Sequence, residues 1–192
     1  MRSIYKIVVC SLLTLSITSC EKDLLEKEQY QKEIYLIGAY NRVWTTEVSY
    51  SNEEVKTYFT VSSSGTLALD RDVNVKMKIN EELVDIYNKK YWTVLNEDKY
   101  YKSLDTDLYS IPSLENTVIK HAEGISAEVP VLIKTASLKI DQSYVIPVEI
   151  ESTTGYPISE SGYKMLILLK LKNDYSGSYQ MSGHTTLEGE TP

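Results

Sequence analysis

Two adjacent carboxylate pairs, Glu53-Glu54 and Glu81-Glu82, are the residues of this 192-residue chain whose types come nearest to hydrolytic chemistry. Cleavage of a glycoside takes two carboxyl groups held across one bond, one giving a proton while the other attacks or activates water. Neighbours in a strand point to opposite faces, and neighbours at a helix start both lie at a solvated end, so neither pair is poised for that work. His121 and His184 lie far apart with no cysteine beside them, which is not zinc-ligand spacing. Asp70, Asp72, Asn74 and Glu81 stand at relative positions 1, 3, 5 and 12 of a calcium loop, but the glycine that its sharp turn needs is replaced by Val75. The same residues alternate as a strand. No Gly-x-Ser-x-Gly elbow, phosphate loop or dinucleotide fingerprint occurs. The expectation is no catalytic residue, no bound metal, no cofactor and hence no enzyme.

The aromatic residues carry the other possible chemistry. Of 16 tyrosines only Tyr5 lies in the leader described below, and both tryptophans lie beyond it, against one phenylalanine in the chain. Tyr and Trp present flat apolar faces to sugar rings and polar edges to hydroxyls. Trp44, Tyr91-Trp92 and Tyr100-Tyr101 are the clusters that could form a glycan platform. Tyr packs equally well on sheet faces with its hydroxyl at the rim, so a purely structural use of these rings stands beside the binding one.

Positioning these residues falls to short runs rich in Val, Ile, Thr and Tyr. From Ile34 onward, EIYLIGA, NRVWTTEVSY and VKTYFTVS read as half-buried strands. DVNVKMKI alternates cleanly, with Val73, Val75, Met77 and Ile79 on one face and polar residues on the other, which implies a sheet with one wet side. One helix interrupts the strands, with Asn80 as N-cap, Glu81 and Glu82 at its start, Lys89 and Lys90 at its end and an apolar stripe of Leu83, Ile86 and Tyr87. It should run about three turns and lie over one end of a sheet. Residues 96–117 are turn-rich, and four further strand-like runs follow: TVIKHAEG, ISAEVPVLIK, SYVIPVEIE and YKMLILLKLK. Gly124, Gly155 and Gly162 punctuate them at turns. Pro130 and Pro147 predict edge strands, or strands in which those nitrogens face away from a partner. Many antiparallel strands, one short helix and no βαβ rhythm predict a mainly β, immunoglobulin-like sandwich.

The N-terminus says where such a domain would sit. Arg2 and Lys6 precede an uncharged run, IVVCSLLTLSI, in the order of a secretion signal and too short to cross a bilayer, which takes about 20 residues. It ends in Ile17-Thr18-Ser19-Cys20, which resembles a bacterial lipobox, so residues 1–19 read as a lipoprotein signal peptide and Cys20 as the lipidated residue. Acyl chains at about 0.8 kcal/mol per buried methylene would hold the chain on a membrane without any span. Glu21-Lys22-Asp23 resembles the export signal of Bacteroidota lipoproteins displayed on the outer face of the outer membrane. Losing Arg2 and Lys6 with the leader takes the formal charge from −7 to −9, and with no basic block this argues against nucleic acid as a partner. Cys10 leaves with the leader and the Cys20 thiol is consumed, so no disulfide is available.

Residues 20–32 read as the lipidated cysteine and a polar tether, and residues 33–172 as the sandwich. In residues 173–192, YSGSYQMSG reads as the opening strand of a following β domain that is cut short, or else as a flexible tail. The helix DIYNKKY, the stretch IPSLENTVIKHAEGISAEVPVLIK and above all SYVIPVEIESTTGYPISESGYKMLILLK resemble the Bacteroidota domain of unknown function seventeen thirty-five over roughly residues 30–172. Its most specific marks are Tyr144–Pro147, Gly155–Ser159 and Lys164–Leu171. The resemblance implies an immunoglobulin-like, non-catalytic module of a surface lipoprotein, with neighbouring outer-membrane glycan-uptake proteins as partners. Three roles are carried forward: a spacer or scaffold for a glycan-utilisation lipoprotein, a polysaccharide-binding module that uses surface Tyr and Trp, and, behind these, an accessory or catalytic domain of a glycoside hydrolase.

Overall fold

The computed structural model describes residues 27–173, 175 and 177–183. Cys20 and the other residues before 27, together with His184, lie outside them.

Among the described residues the strands are β1 (Ile34–Leu36), β2 (Val43–Ser49), β3 (Glu54–Ser63), β4 (Val73–Ile79), β5 (Lys102–Ser103), β6 (Tyr109–Ser110), β7 (Thr117–Ile119), β8 (Ser126–Lys134), β9 (Tyr144–Thr153) and β10 (Lys164–Lys172), with one α-helix, α1 (Glu82–Tyr91). One sheet runs β1-β3-β8-β6, and the other runs β2-β10-β9-β4-β7 with β5 beside β9. This is the immunoglobulin arrangement, the first sheet matching its A-B-E-D order and β10-β9-β4 its G-F-C order. Alternation builds the core between the sheets: Val73, Val75 and Met77 of β4, Phe59 and Val61 of β3, and Met165, Ile167 and Leu169 of β10 are buried there. The wet face expected of β4 is present, since Lys76 and Lys78 reach Glu151 and Glu149 on β9.

Two pairings depart from a purely antiparallel sandwich. β2 runs parallel to β10, Val43 opposite Leu166 through Ser49 opposite Lys172, and β5 runs parallel to β9. The chain enters along β1 in the first sheet and crosses to the second before β3, so the crossing strand meets β10 in the same direction. For Pro130 and Pro147 the second of the two expected arrangements is found, interior strands whose proline nitrogens face away from a partner. β8 lies between β3 and β6, and β9 lies between β10 and β4. Backbone N and O of one strand residue point the same way, and the Pro147 oxygen accepts the Asn80 N–H just past the end of β4. The Pro147 nitrogen therefore faces the gap between the β4 and β5 ladders, where no strand donor is needed. β6 covers only Leu132 and Ile133 of β8, which leaves the flank beside Pro130 without a strand partner among the described residues.

Helix α1 lies on the outer face of the second sheet, against β9 and β10. Its buried face is Leu83 and Val84, packed on Val145 and Leu166, with Tyr87 beside them. Ile86, expected in this stripe, is 52% exposed. The helix axis is rolled so that Asn88 points inward instead, its Oδ1 accepting the Tyr101 N–H and its Nδ2 donating to the Tyr101 carbonyl, both at 2.9 Å. Asn80 caps the helix as expected, its Oδ1 accepting the Glu82 N–H at 3.2 Å, while its Nδ2 donates to Glu149.

Register also fixes the two ends of the sandwich. Ile34, where the chain enters, is opposite Ser63 at the end of β3. Lys172, at the end of β10, is opposite Ser49, which leads into the start of β3 at Glu54. Entry and exit are therefore separated by the length of a ten-residue strand, about 30 Å at 3.3 Å per residue.

Candidate functional site

A 3-10 turn, Ala39–Asn41, joins β1 to β2 and packs against β2 and β10, with Ala39 buried in the core. Gly38 before it has φ +89, and a Cβ there would lie 2.5 Å from the Trp44 ring, so only glycine lets the backbone press on that indole. Arg42 after it has φ +61, the one non-glycine residue with positive φ among those described. Hydrogen bonds hold Arg42 there: its N–H reaches the Ala39 carbonyl and its own carbonyl accepts the Leu166 N–H, both at 2.8 Å. Tyr40 at the tip is 84% exposed.

This turn, helix α1 and the segment leading into β10 enclose an open cleft of about 310 Å³. Leu83 and Leu166 make its floor, Tyr40 and Tyr87 stand at its sides, and Arg42, Glu160 and Lys164 bring charge to it. Among the described residues none of these three charges forms an ion pair. The Lys164 ammonium lies 4.8 Å from the centre of the Tyr163 ring, a cation–π contact that leaves its hydrogen-bonding capacity free. Glu160 is the only carboxylate lining the cleft.

None of the five aromatic residues singled out from the sequence lines the cleft. Tyr91 and Tyr101 reach its border through Tyr87, with Tyr87 stacked on Tyr101 at 5.2 Å and 11° and tilted against Tyr91 at 4.5 Å and 35°. Burial pushes the Tyr87 hydroxyl up to about 12, with Tyr101 and Tyr91 adding to the rise. Tyr101 packs under the helix and Tyr91 is half exposed. Trp92 is half-buried, with Nε1 enclosed and without a hydrogen-bond partner among the described residues, and the Lys99 ammonium lies over its ring. Tyr100 is half-buried in the loop that leads into Tyr101 and β5. Trp44 sits apart from all of them. It is 37% exposed at the β2 edge, opposite Ile167 of β10 and with its ring against Gly38. These rings do not make one coplanar exposed platform.

Glu53-Glu54 and Glu81-Glu82 lie at the start of β3 and of α1, all exposed, and none of the four lines the cleft. Of the calcium-loop series, Asp70 is held by Arg71 and the Tyr156 hydroxyl, which keep its carboxyl far below the usual range. Asp72 accepts from the backbone and ring of His121, which lowers it as well. Asn74 sits in β4. Among the described residues no group of three or more potential metal ligands comes together.

The residues that sequence reasoning passed over here are Tyr40, Arg42, Glu160 and Lys164. Tyr40 lies in, and Arg42 directly follows, a turn whose left-handed bend no glycine announces at position 42. Glu160 and Lys164, in the turn before β10 and at its first residue, carry no signal of their own in the sequence.

A model of a family of N-terminal domains ("-like, N-terminal domain") matches residues 30–157, and one of C-terminal domains ("-like, C-terminal") matches residues 163–192. No curated protein matches the chain. Solved structures with the same fold include a multidomain protein including DUF1735 from Bacteroides ovatus, 20% identical, TM-score 0.57, covering 71% of this chain and 43% of that one. A putative carbohydrate binding protein from Bacteroides ovatus is 18% identical, TM-score 0.54, covering 71% and 36%. EndoBT-3987 from Bacteroides thetaiotamicron, solved with a Man5GlcNAc product, is 21% identical, TM-score 0.51, covering 72% and 30%. The chain spans less than half the length of each of the three.

Proposed function

Because the chain belongs to the family of the N-terminal domain matched over residues 30–157, we propose that it serves as the non-catalytic spacer module of a glycan-utilisation lipoprotein, anchored through Cys20 on the outer face of the outer membrane. The observation that carries the reading is the placement of the two ends. The tether arrives at the end of β3 and the chain leaves β10 at the start of β3, so the sandwich puts its own length between an anchor and whatever follows. Further support comes from the C-terminal family segment, which begins at residue 163, immediately before β10, so that its first residues are part of the second sheet. The solved structures that share the fold include a putative carbohydrate binding protein, which is the source of the glycan context. EndoBT-3987 brings a Man5GlcNAc product into the same comparison. Against a hydrolase role for this chain stands its cleft, with one carboxylate where glycoside cleavage uses two.

The test is a distance from the membrane. With the leader removed and Cys20 acylated, an introduced cysteine is the only free thiol, and a dye can be placed at either end of the sandwich in membranes from producing cells. Glu123→Cys marks the turn before β8, near the tether, and Glu53→Cys marks the turn before β3, near the exit. Energy transfer to a lipid-bound acceptor should be clearly stronger from position 123 than from position 53. Cys20→Ala should move the protein to the soluble fraction. Equal transfer from both positions would describe a domain lying flat and would end the spacer reading.

A further inference from the structure

We propose that the cleft between the Ala39–Asn41 turn, helix α1 and the start of β10 binds a carboxylated sugar, one or two rings of an acidic glycan. The inference stands apart from the spacer reading and rests on the site itself. Its volume of about 310 Å³ is at the lower end of the range for ligand sites, ~300–1,000 Å³, which suits one or two sugar rings and no more. Its sides are tyrosines and its floor is aliphatic, so a ring face entering it meets apolar surface while its hydroxyls meet Glu160 and Ser161.

The charge balance selects the class of sugar. The whole chain carries a formal charge of −7, yet Arg42 and Lys164 line this cleft against the single carboxylate of Glu160. Neither cation is neutralised by an ion pair among the described residues. A guanidinium forks onto a carboxylate through two hydrogen bonds, and an ammonium adds a point charge beside it. Arg42 is also the residue held at φ +61, and strain of that kind is retained where a side chain must be aimed. Tyr40, 84% exposed on the same turn, has little packing reason to be aromatic.

The protein without its leader should be titrated with a digalacturonate, the neutral disaccharide of the same linkage, and free glutamate. Saturable binding of the digalacturonate below about 10 mM is expected, with the neutral sugar and glutamate at least about tenfold weaker, since the site reads both ring and charge. Raising the salt should weaken the acidic sugar. Arg42→Asn removes the cation while keeping a residue that tolerates the left-handed backbone, and Lys164→Gln removes the second; each should lower affinity by about tenfold with an unchanged melting temperature. Tyr40→Ala, at an exposed position, should do the same without touching charge. If Arg42→Asn fails to fold, the Lys164 and Tyr40 variants decide. Silence towards all three ligands overturns the proposal. So does equal affinity for the neutral sugar, or for glutamate, or full affinity retained in folded Lys164→Gln and Tyr40→Ala.

Discussion

At the scale of single residues, the polar groups in this sandwich are mostly paired, and the exceptions say what the fold tolerates. The Tyr109 hydroxyl is buried with no hydrogen-bond partner among the described residues, and burial, with Glu81 nearby adding to it, pushes it up to about 12. A phenol whose ionisation is raised in the folded state stabilises the fold fully below its ordinary value of about 10, and that contribution is lost as pH rises towards about 12. Tyr109→Phe removes both the enclosed hydroxyl and the titration. At neutral pH its unfolding free energy should stay within about 1 kcal/mol of the parent or rise, because an unmade hydrogen bond is no loss. In urea unfolding at about pH 9 and pH 11.5 the variant should lose less than the parent, with Tyr87 keeping part of the alkaline slope. A neutral-pH loss above about 2 kcal/mol would mean that the hydroxyl has a partner. Little of this was legible beforehand. Asn88 shows why: an amide in a helix reads as solvent-facing, whereas here it is 4% exposed and ties down both backbone groups of Tyr101, a residue that chain order alone would not bring to it.

At the scale of elements, period-two alternation made the strands readable, and the main strands all appear where the sequence put them. The helix was readable in extent but not in rotation. Leu83, Ile86 and Tyr87 satisfy helical spacing, yet so do Leu83, Val84, Tyr87 and Asn88, and the choice between them depends on which way the outer face of β9 and β10 turns the axis. That face offers Val145 and Leu166 to Leu83 and Val84. Leu83→Ala should therefore cost about 2–3 kcal/mol in urea unfolding, whereas Ile86→Ala should cost less than about 1. Equal costs would return the helix to the rotation that spacing alone suggests. The glycan-platform residues failed to assemble for a related reason. Tyr91 and Tyr101 are brought together by Tyr87, which the stripe had claimed for packing, whereas Trp44 stands apart on β2, its ring against Gly38 and opposite Ile167.

At the scale of the whole molecule, the sandwich and the family boundaries do not divide the chain at the same place. The N-terminal family segment stops at residue 157 and the C-terminal one starts at residue 163, before β10. Yet β10 lies between β2 and β9 and buries Met165, Leu166, Ile167 and Leu169. At about 1.5–3 kcal/mol for each buried side chain, those four residues alone approach the 5–15 kcal/mol by which whole domains are stable. Removing the strand also leaves β2 without a neighbour and one flank of β9 unpaired. A chain stopped after Ser161 should therefore show no cooperative thermal transition. A chain stopped after Asn173 should melt within a few degrees of the full protein. A cooperative melt from the shorter chain would mean that the N-terminal family segment folds without β10, and would place that strand with the C-terminal segment. If only the longer chain folds, the last core strand is also the first segment matched by the C-terminal family, and the boundary between the two family segments is not a boundary between folding units.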